Sequence, residues 1–221
     1  SVNDASTNAI DLTNVTTIST ATMSEMLEIV QNTGSTFTTA PNYAVTISDT
    51  SSASNVNLVV SDTTGIVTAT VTVDTAAALN TALINATSTD ALILTINSSS
   101  TTASSLNALD GKTSVPVNAT SITELTGNAT DIKTALASSG ITTVTNGSLA
   151  VNVNSGTASV ADINIINADS ATGILTAIAT ETDAATLIGL TTTGTDAITV
   201  TMAATSTSGA DLNTIDSKTS V

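Results

Sequence analysis

Ten residues near the middle of the chain, Leu106-Asn107-Ala108-Leu109-Asp110-Gly111-Lys112-Thr113-Ser114-Val115, return 106 positions later. The second copy reads Leu212-Asn213-Thr214-Ile215-Asp216-Ser217-Lys218-Thr219-Ser220-Val221. A fixed internal period constrains a fold more than any local propensity, because every unit must pack on its neighbour in the same way. The match extends beyond the marker. Thr64-Gly65-Ile66 answers to Thr172-Gly173-Ile174, and Ala91-Leu92-Ile93-Leu94-Thr95-Ile96 to Ala197-Ile198-Thr199-Val200-Thr201-Met202. The chain therefore divides into two long repeats, residues 1–115 and 116–221.

A shorter period runs inside each long one. A Ser/Thr/Ala-rich lead followed by a branched apolar residue recurs at Leu27, Val56, Leu79, Leu106, Ile132, Ile163, Leu187 and Leu212. This gives about eight turns of roughly 26 residues, four per long repeat. Each turn opens with a helix-like piece behind a capping side chain, as in Thr102–Leu109 and Asn128–Leu136. It continues with residues alternating at period two, as in Ile66–Val73 and Leu149–Asn154, which reads as a half-buried strand. Strand and helix alternating at this spacing favour parallel strands with helical crossovers. The pattern predicts a right-handed parallel β-solenoid with short helices between strands. Strands are expected near 44–49, 66–73, 91–96, 115–118, 149–153, 174–178 and 197–202, stacked in one sheet. Val71, Leu94, Val117, Val151 and Val200 are expected inside it. The alternative fold is a pair of tandem β-sandwich domains, which would need antiparallel neighbours.

Composition narrows the function classes. The chain is 41% hydrophobic, with Phe37 and Tyr43 as its only aromatic residues. Small aliphatic side chains suit a narrow interior filled alike at each level. Net charge is −15, carried against three lysines (Lys112, Lys133 and Lys218) and no arginine. Nucleic acid and anionic membrane surfaces both require a basic face, so neither is an expected partner. No apolar run is long enough for membrane insertion as a helix. Histidine, cysteine and arginine are absent, which removes Ser-His-Asp and Cys-His catalysis, thiol chemistry and zinc ligation. Neither enzymatic activity nor a cofactor is expected.

Some polar positions invite a sharper reading. Asp131, Asp162, Asp183 and Asp211 each open a helical piece, where a carboxylate complements the positive end of the helix. A column of such carboxylates could also bind calcium between turns, although no EF-hand loop or glycine-rich nonapeptide is present. Asn57, Asn80, Asn107, Asn164 and Asn213 follow the periodic apolar residue. They are candidates for a stacked amide ladder, with solvated helix positions as the alternative. Six Asn-x-Ser/Thr sequons, at Asn14, Asn85, Asn97, Asn118, Asn128 and Asn146, are about what such a composition yields by chance. Lys112 and Lys218 each follow an aspartate by two residues, as in an exposed local ion pair.

The strings SLNALDGKTSVPVNATSITELTGNATDIKTALASSGIT and ADLNTIDSKTSV resemble, most clearly over residues 102–141 and 208–221, the Thr/Ala-rich tandem repeats of giant bacterial and cyanobacterial cell-surface proteins. Swimming-motility and adhesin-like proteins are of this kind. The resemblance implies an extracellular, structural or adhesive role without catalysis. Residues 1–50, with Phe37, Pro41 and Tyr43, depart most from the pattern. The ends match in phase: Val115 continues into Pro116-Val117-Asn118, and Ser1-Val2-Asn3 resembles that continuation. Ser1, Val2 and Asn3 are therefore expected to meet Thr219, Ser220 and Val221 of another copy, or to follow them in a longer chain. The expected function is a structural repeat segment of an extracellular filament or cell-surface layer, assembling head to tail with itself. The alternative is an adhesin stalk or viral tail-fibre module recognising surface glycans.

Overall fold

The computed structural model describes residues 10–32, 37–144, 147–169, 172–203 and 206–221. Along the chain the elements are β1 (Ile10–Leu12), β2 (Thr17–Ala21), α1 (Met23–Gln31), β3 (Phe37–Thr39), β4 (Ala44–Ile47), α2 (Ala53–Asp62), β5 (Val67–Thr70), α3 (Ala76–Ala82) and β6 (Ala91–Ile93). There follow β7 (Ser100–Thr102), α4 (Ala103–Asp110), β8 (Val117–Asn118), β9 (Glu124–Gly127), α5 (Ala129–Ala137), β10 (Ile141–Thr142), β11 (Leu149–Val153) and α6 (Val160–Asn167). The last elements are β12 (Thr172–Ile178), α7 (Ala184–Leu187), β13 (Ala197–Thr199) and α8 (Gly209–Asp216). Two compact units are present: Ser1–Ile96 with Ala108–Asn118, and Asn97–Asn107 with Ala119–Val221.

In the first unit β2, β4, β5 and β6 form a parallel four-stranded sheet, in that order. β1 pairs separately with β3, also in parallel. Alternation along the strands turns Val45, Val67 and Leu92 inward, where each is at most 2% exposed. Met26, Val56 and Leu79 on α1, α2 and α3 are equally buried; α2 packs on α1, α3 and β5. Each such aliphatic side chain contributes about 1.5–3 kcal/mol by leaving water.

The second unit repeats the arrangement with five parallel strands in the order β13-β12-β11-β9-β7. Leu125, Val151 and Leu175 stand side by side in register across β9, β11 and β12. All three are buried, as are Ile132, Ile163 and Leu187 on α5, α6 and α7.

These sheets correct the expected fold. The chain is an α/β fold with open parallel sheets of four and five strands and eight helices among the described residues; no closed solenoid forms. The period of about 26 residues is that of one strand plus one crossover helix. It does not require the chain to close into a coil, and the expected strands are shared between sheets instead of continuing as one. The tandem β-sandwich alternative fails as well, because the strand pairs with a described register run parallel, not antiparallel. Of the expected core set, Val71, Leu94, Val117 and Val151 are buried, whereas Val200 is only half-buried. β5 stops at Thr70, and Val73, which the alternation places on the inner face, is exposed.

Local chemistry starts each helix in one way. Thr22, Ser52, Thr75, Thr102, Asn128, Ser159, Asp183 and Ser208 each accept the backbone N–H three residues on. A cap of this kind is worth about 1 kcal/mol. The repeated Thr-Gly-Ile has a steric reason. A Cβ on Gly65 would lie 2.3 Å from the Tyr43 carbonyl oxygen, and one on Gly173 would lie 2.5 Å from that of Gly147. Only glycine lets the backbone pass that close.

Candidate functional site

A polar framework, present twice at the 106-residue period, is the most specific side-chain arrangement in the chain. Asp90 is 3% exposed. Its Oδ1 accepts the Val67 N–H at 3.1 Å, and its Oδ2 accepts the Thr87 N–H at 2.9 Å. Asp196, equally buried, accepts the N–H groups of Leu175 and Thr193, both at 2.9 Å. Beside each aspartate sits a buried threonine. Thr113 Oγ1 accepts the Leu92 N–H at 3.0 Å and donates to the Leu92 carbonyl at 2.7 Å. Thr219 Oγ1 does the same at Ile198, at 2.9 and 2.8 Å. Ser114 and Ser220 then donate their backbone N–H groups to the carbonyls of Asp90 and Asp196. One hydroxyl thus replaces a neighbouring strand along the edge of β6 and of β13, so backbone groups that burial would orphan are paired.

Two further carboxylates bond across repeats. Asp49 accepts the Met23 N–H at 2.7 Å, and Glu181 accepts the Val160 N–H at 2.9 Å, each at the first residue of a helix. Part of the acidic excess therefore serves the fold.

The four candidate metal aspartates stand at four different helix starts. Asp131, Asp162 and Asp211 occupy the third position of α5, α6 and α8, and Asp183 is the cap of α7. Asp131 accepts from the Asn128 side chain. Asp162 accepts from Lys133 of the preceding helix, and that charged donor, followed in effect by the Ser159 hydroxyl and the lysine's charge, holds its carboxyl below the ordinary value of 3.8. Asp183 is lowered by the N–H and hydroxyl of Thr186. Among the described residues no three acidic side chains gather as a metal ion would require.

The asparagines reach into the following repeat's backbone. Asn57 Oδ1 accepts the Asn85 N–H at 2.9 Å, and Asn107 Nδ2 donates to the Asp131 carbonyl at 3.0 Å. Asn164 makes both contacts, donating to the Gly189 carbonyl and accepting the Thr191 N–H, each at 2.8 Å. Asn80 lies on α3 with its Oδ1 buried, while Asn213 is exposed on α8. The Thr191 hydroxyl also donates to Asn164 Oδ1 at 3.1 Å, and Asn57, Asn107 and Asn164 thus act as clamps between successive repeats.

Of the expected assembly residues, Ser1, Val2 and Asn3 lie outside the described residues, as does the sequon at Asn146. Thr219 is buried in the framework, Ser220 is bound to Asp196, and Val221 is 71% exposed. The lysines take different tasks. Lys112 donates to the Leu83 carbonyl at 2.8 Å, and the Lys218 carbonyl accepts from Thr192 Oγ1 at 2.7 Å.

Two other features belong to the first unit. Tyr43 is 1% exposed and donates to Asp62 Oδ2 at 2.9 Å. Burial, then that carboxylate, push its hydroxyl well above the ordinary value of 10. A cavity of about 620 Å³ lies beside β2 and α1, lined by Ile10, Leu12, Ile29 and Phe37 together with Glu25 and Glu28. Sequence reasoning missed Asp90, Asp196, Thr113 and Thr219. The signal was available, since Thr-x-Thr-Asp-Ala recurs at residues 87–91 and 193–197. Compared with known proteins, the chain matches no family model, no curated protein and no solved structure.

Proposed function

We propose that this chain is a structural repeat segment of an extracellular filament or cell-surface layer, built to be joined to like segments end to end. The observation that carries this reading is the duplicated framework of Asp90–Thr113 and Asp196–Thr219. Each copy spends buried polar side chains on pairing the backbone of a neighbouring repeat. Such bonds favour regular stacking, with stability summed over nearest-neighbour contacts. The clamps of Asn57, Asn107 and Asn164 support the same reading, as does the resemblance of residues 102–141 and 208–221 to surface-protein repeats. A net charge of −15 keeps a long array dispersed in solution.

Sedimentation velocity on the purified chain over a wide concentration range, followed by negative-stain electron microscopy, tests the proposal. Linear species that lengthen with concentration are expected. A single monomeric species throughout, with only isolated particles on the grid, would overturn it.

A further inference from the structure

The two copies of the repeat differ where the turns before β5 and β6 meet. In the first copy a cavity of about 310 Å³ opens there, lined by Val60, Thr64, Asn85, Thr87, Thr89 and Asp90. In the second copy a side chain bridges the corresponding place. Val60 corresponds to Asn167, since each stands eight residues beyond the serine cap of its helix. Asn85 corresponds to Thr191, since their N–H groups go to the matching side chains of Asn57 and Asn164. Asn167 Nδ2 donates to the carbonyl and hydroxyl of Thr191, at 3.2 and 3.4 Å. Val60 can make neither bond. Among the described residues the Asn85 carbonyl and side-chain amide have no hydrogen-bond partner.

The lining restricts what can enter. The Asn85 amide both donates and accepts. Thr87 Oγ1 donates to Asp90 Oδ2 at 3.3 Å, so in its 2.8 Å contact with Thr89 Oγ1 it is the acceptor. Thr89 Oγ1 is then left with lone pairs for an incoming hydroxyl. Asp90 places a carboxylate in the wall, and among the described residues no cationic side chain lines the cavity, so an anion is disfavoured. Val60 supplies a small apolar patch. The volume takes about ten waters, far more than a bare ion needs and enough for one compact ring.

We infer that this cleft binds a single neutral sugar ring, a hexopyranose unit, with its hydroxyls on Asn85 and Thr89 and one C–H face on Val60. Asn85 accepts from one hydroxyl and donates to its neighbour, and Thr89 accepts from a third. The ligand thereby takes the place that the Asn167 side chain fills in the second copy. The site goes beyond the assembly reading and does not depend on it: a repeat carrying it engages the end of a neutral glycan.

Saturation-transfer difference NMR, observed on the sugar, tests this for monomer and assembly alike. The full chain is titrated with D-glucose, D-galactose and D-mannose in turn. At least one should give a saturable signal, with a dissociation constant on the order of millimolar, and its uronate should give none. Asn85 is exposed, so Asn85→Ala should keep the parent's melting temperature and lose the saturable signal. Val60→Asn, which copies the second repeat's bridge, should lose it too. No saturable signal with any of the three sugars, or an equal signal from Asn85→Ala, would overturn the assignment. Loss of the parent's signal in EDTA would also overturn it, since the cleft would then hold a cation. Linear assembly without sugar binding would sink this site and leave the end-to-end function standing. Sugar binding by a chain that stays monomeric would do the reverse.

Discussion

The carboxylate of Asp196 receives the backbone N–H of Leu175 at 2.9 Å, inside the protein and 21 residues away. A buried charge is costly unless its oxygens are fully used. Here each oxygen takes a main-chain donor, and the Thr193 hydroxyl adds a third bond at 3.3 Å. Asp90 has the same set. The repeat is thus held together by a few buried polar side chains as well as by its aliphatic interior.

Asp196→Asn should therefore be strongly destabilising despite its small change in volume. One carboxylate oxygen becomes an NH₂ group facing a backbone donor, so at least one charge-assisted bond is lost and a donor is orphaned. The expected cost is about 2–4 kcal/mol, read as a lower urea midpoint by circular dichroism. Asp90→Asn should behave alike. An unchanged midpoint in both variants would contradict the role given to this pair.

Thr113→Val and Thr113→Ser separate shape from hydrogen bonding. Valine keeps the volume but leaves the Leu92 N–H and carbonyl without their hydroxyl partner, at about 1–3 kcal/mol. Serine keeps the hydroxyl and should cost less than valine does. Thermal denaturation of the two variants decides it, and equal losses would mean that only packing matters at this position.

The architecture was only partly legible in the sequence. Helix starts could be read because capping is local: Thr102 and Asn128 declare their helices within three residues. Of the eight periodic positions, Val56, Leu79, Leu106, Ile132, Ile163 and Leu187 are fully or almost fully buried, whereas Leu27 is half-buried and Leu212 is 45% exposed. Closure could not be read. A strand-plus-helix period is the same for a coil and for an open sheet, and nothing local distinguishes them. β2, β7 and β9 escaped notice because Thr-Ile-Ser-Thr-Ala, Ser-Thr-Thr and Glu-Leu-Thr-Gly carry little apolar alternation. Asp90 and Asp196 were not singled out, since the bonds to Val67 and Leu175 reach back 23 and 21 residues.

Acid should weaken the Lys133–Asp162 contact between α5 and α6. The folded-state pKa of Asp162 is depressed below 3.8. Its contribution is therefore present above the unfolded value and is lost as pH falls through the folded one. Urea midpoints measured between neutral pH and pH 3 should drop less steeply in Lys133→Met than in the parent chain. Parallel curves would show that the pair contributes nothing to the acid response.

End-to-end assembly is tested most directly by sedimentation velocity of the purified chain at rising concentration. Linear species that lengthen with concentration and dissociate again on dilution are predicted. A single monomeric species over the whole range would contradict the account.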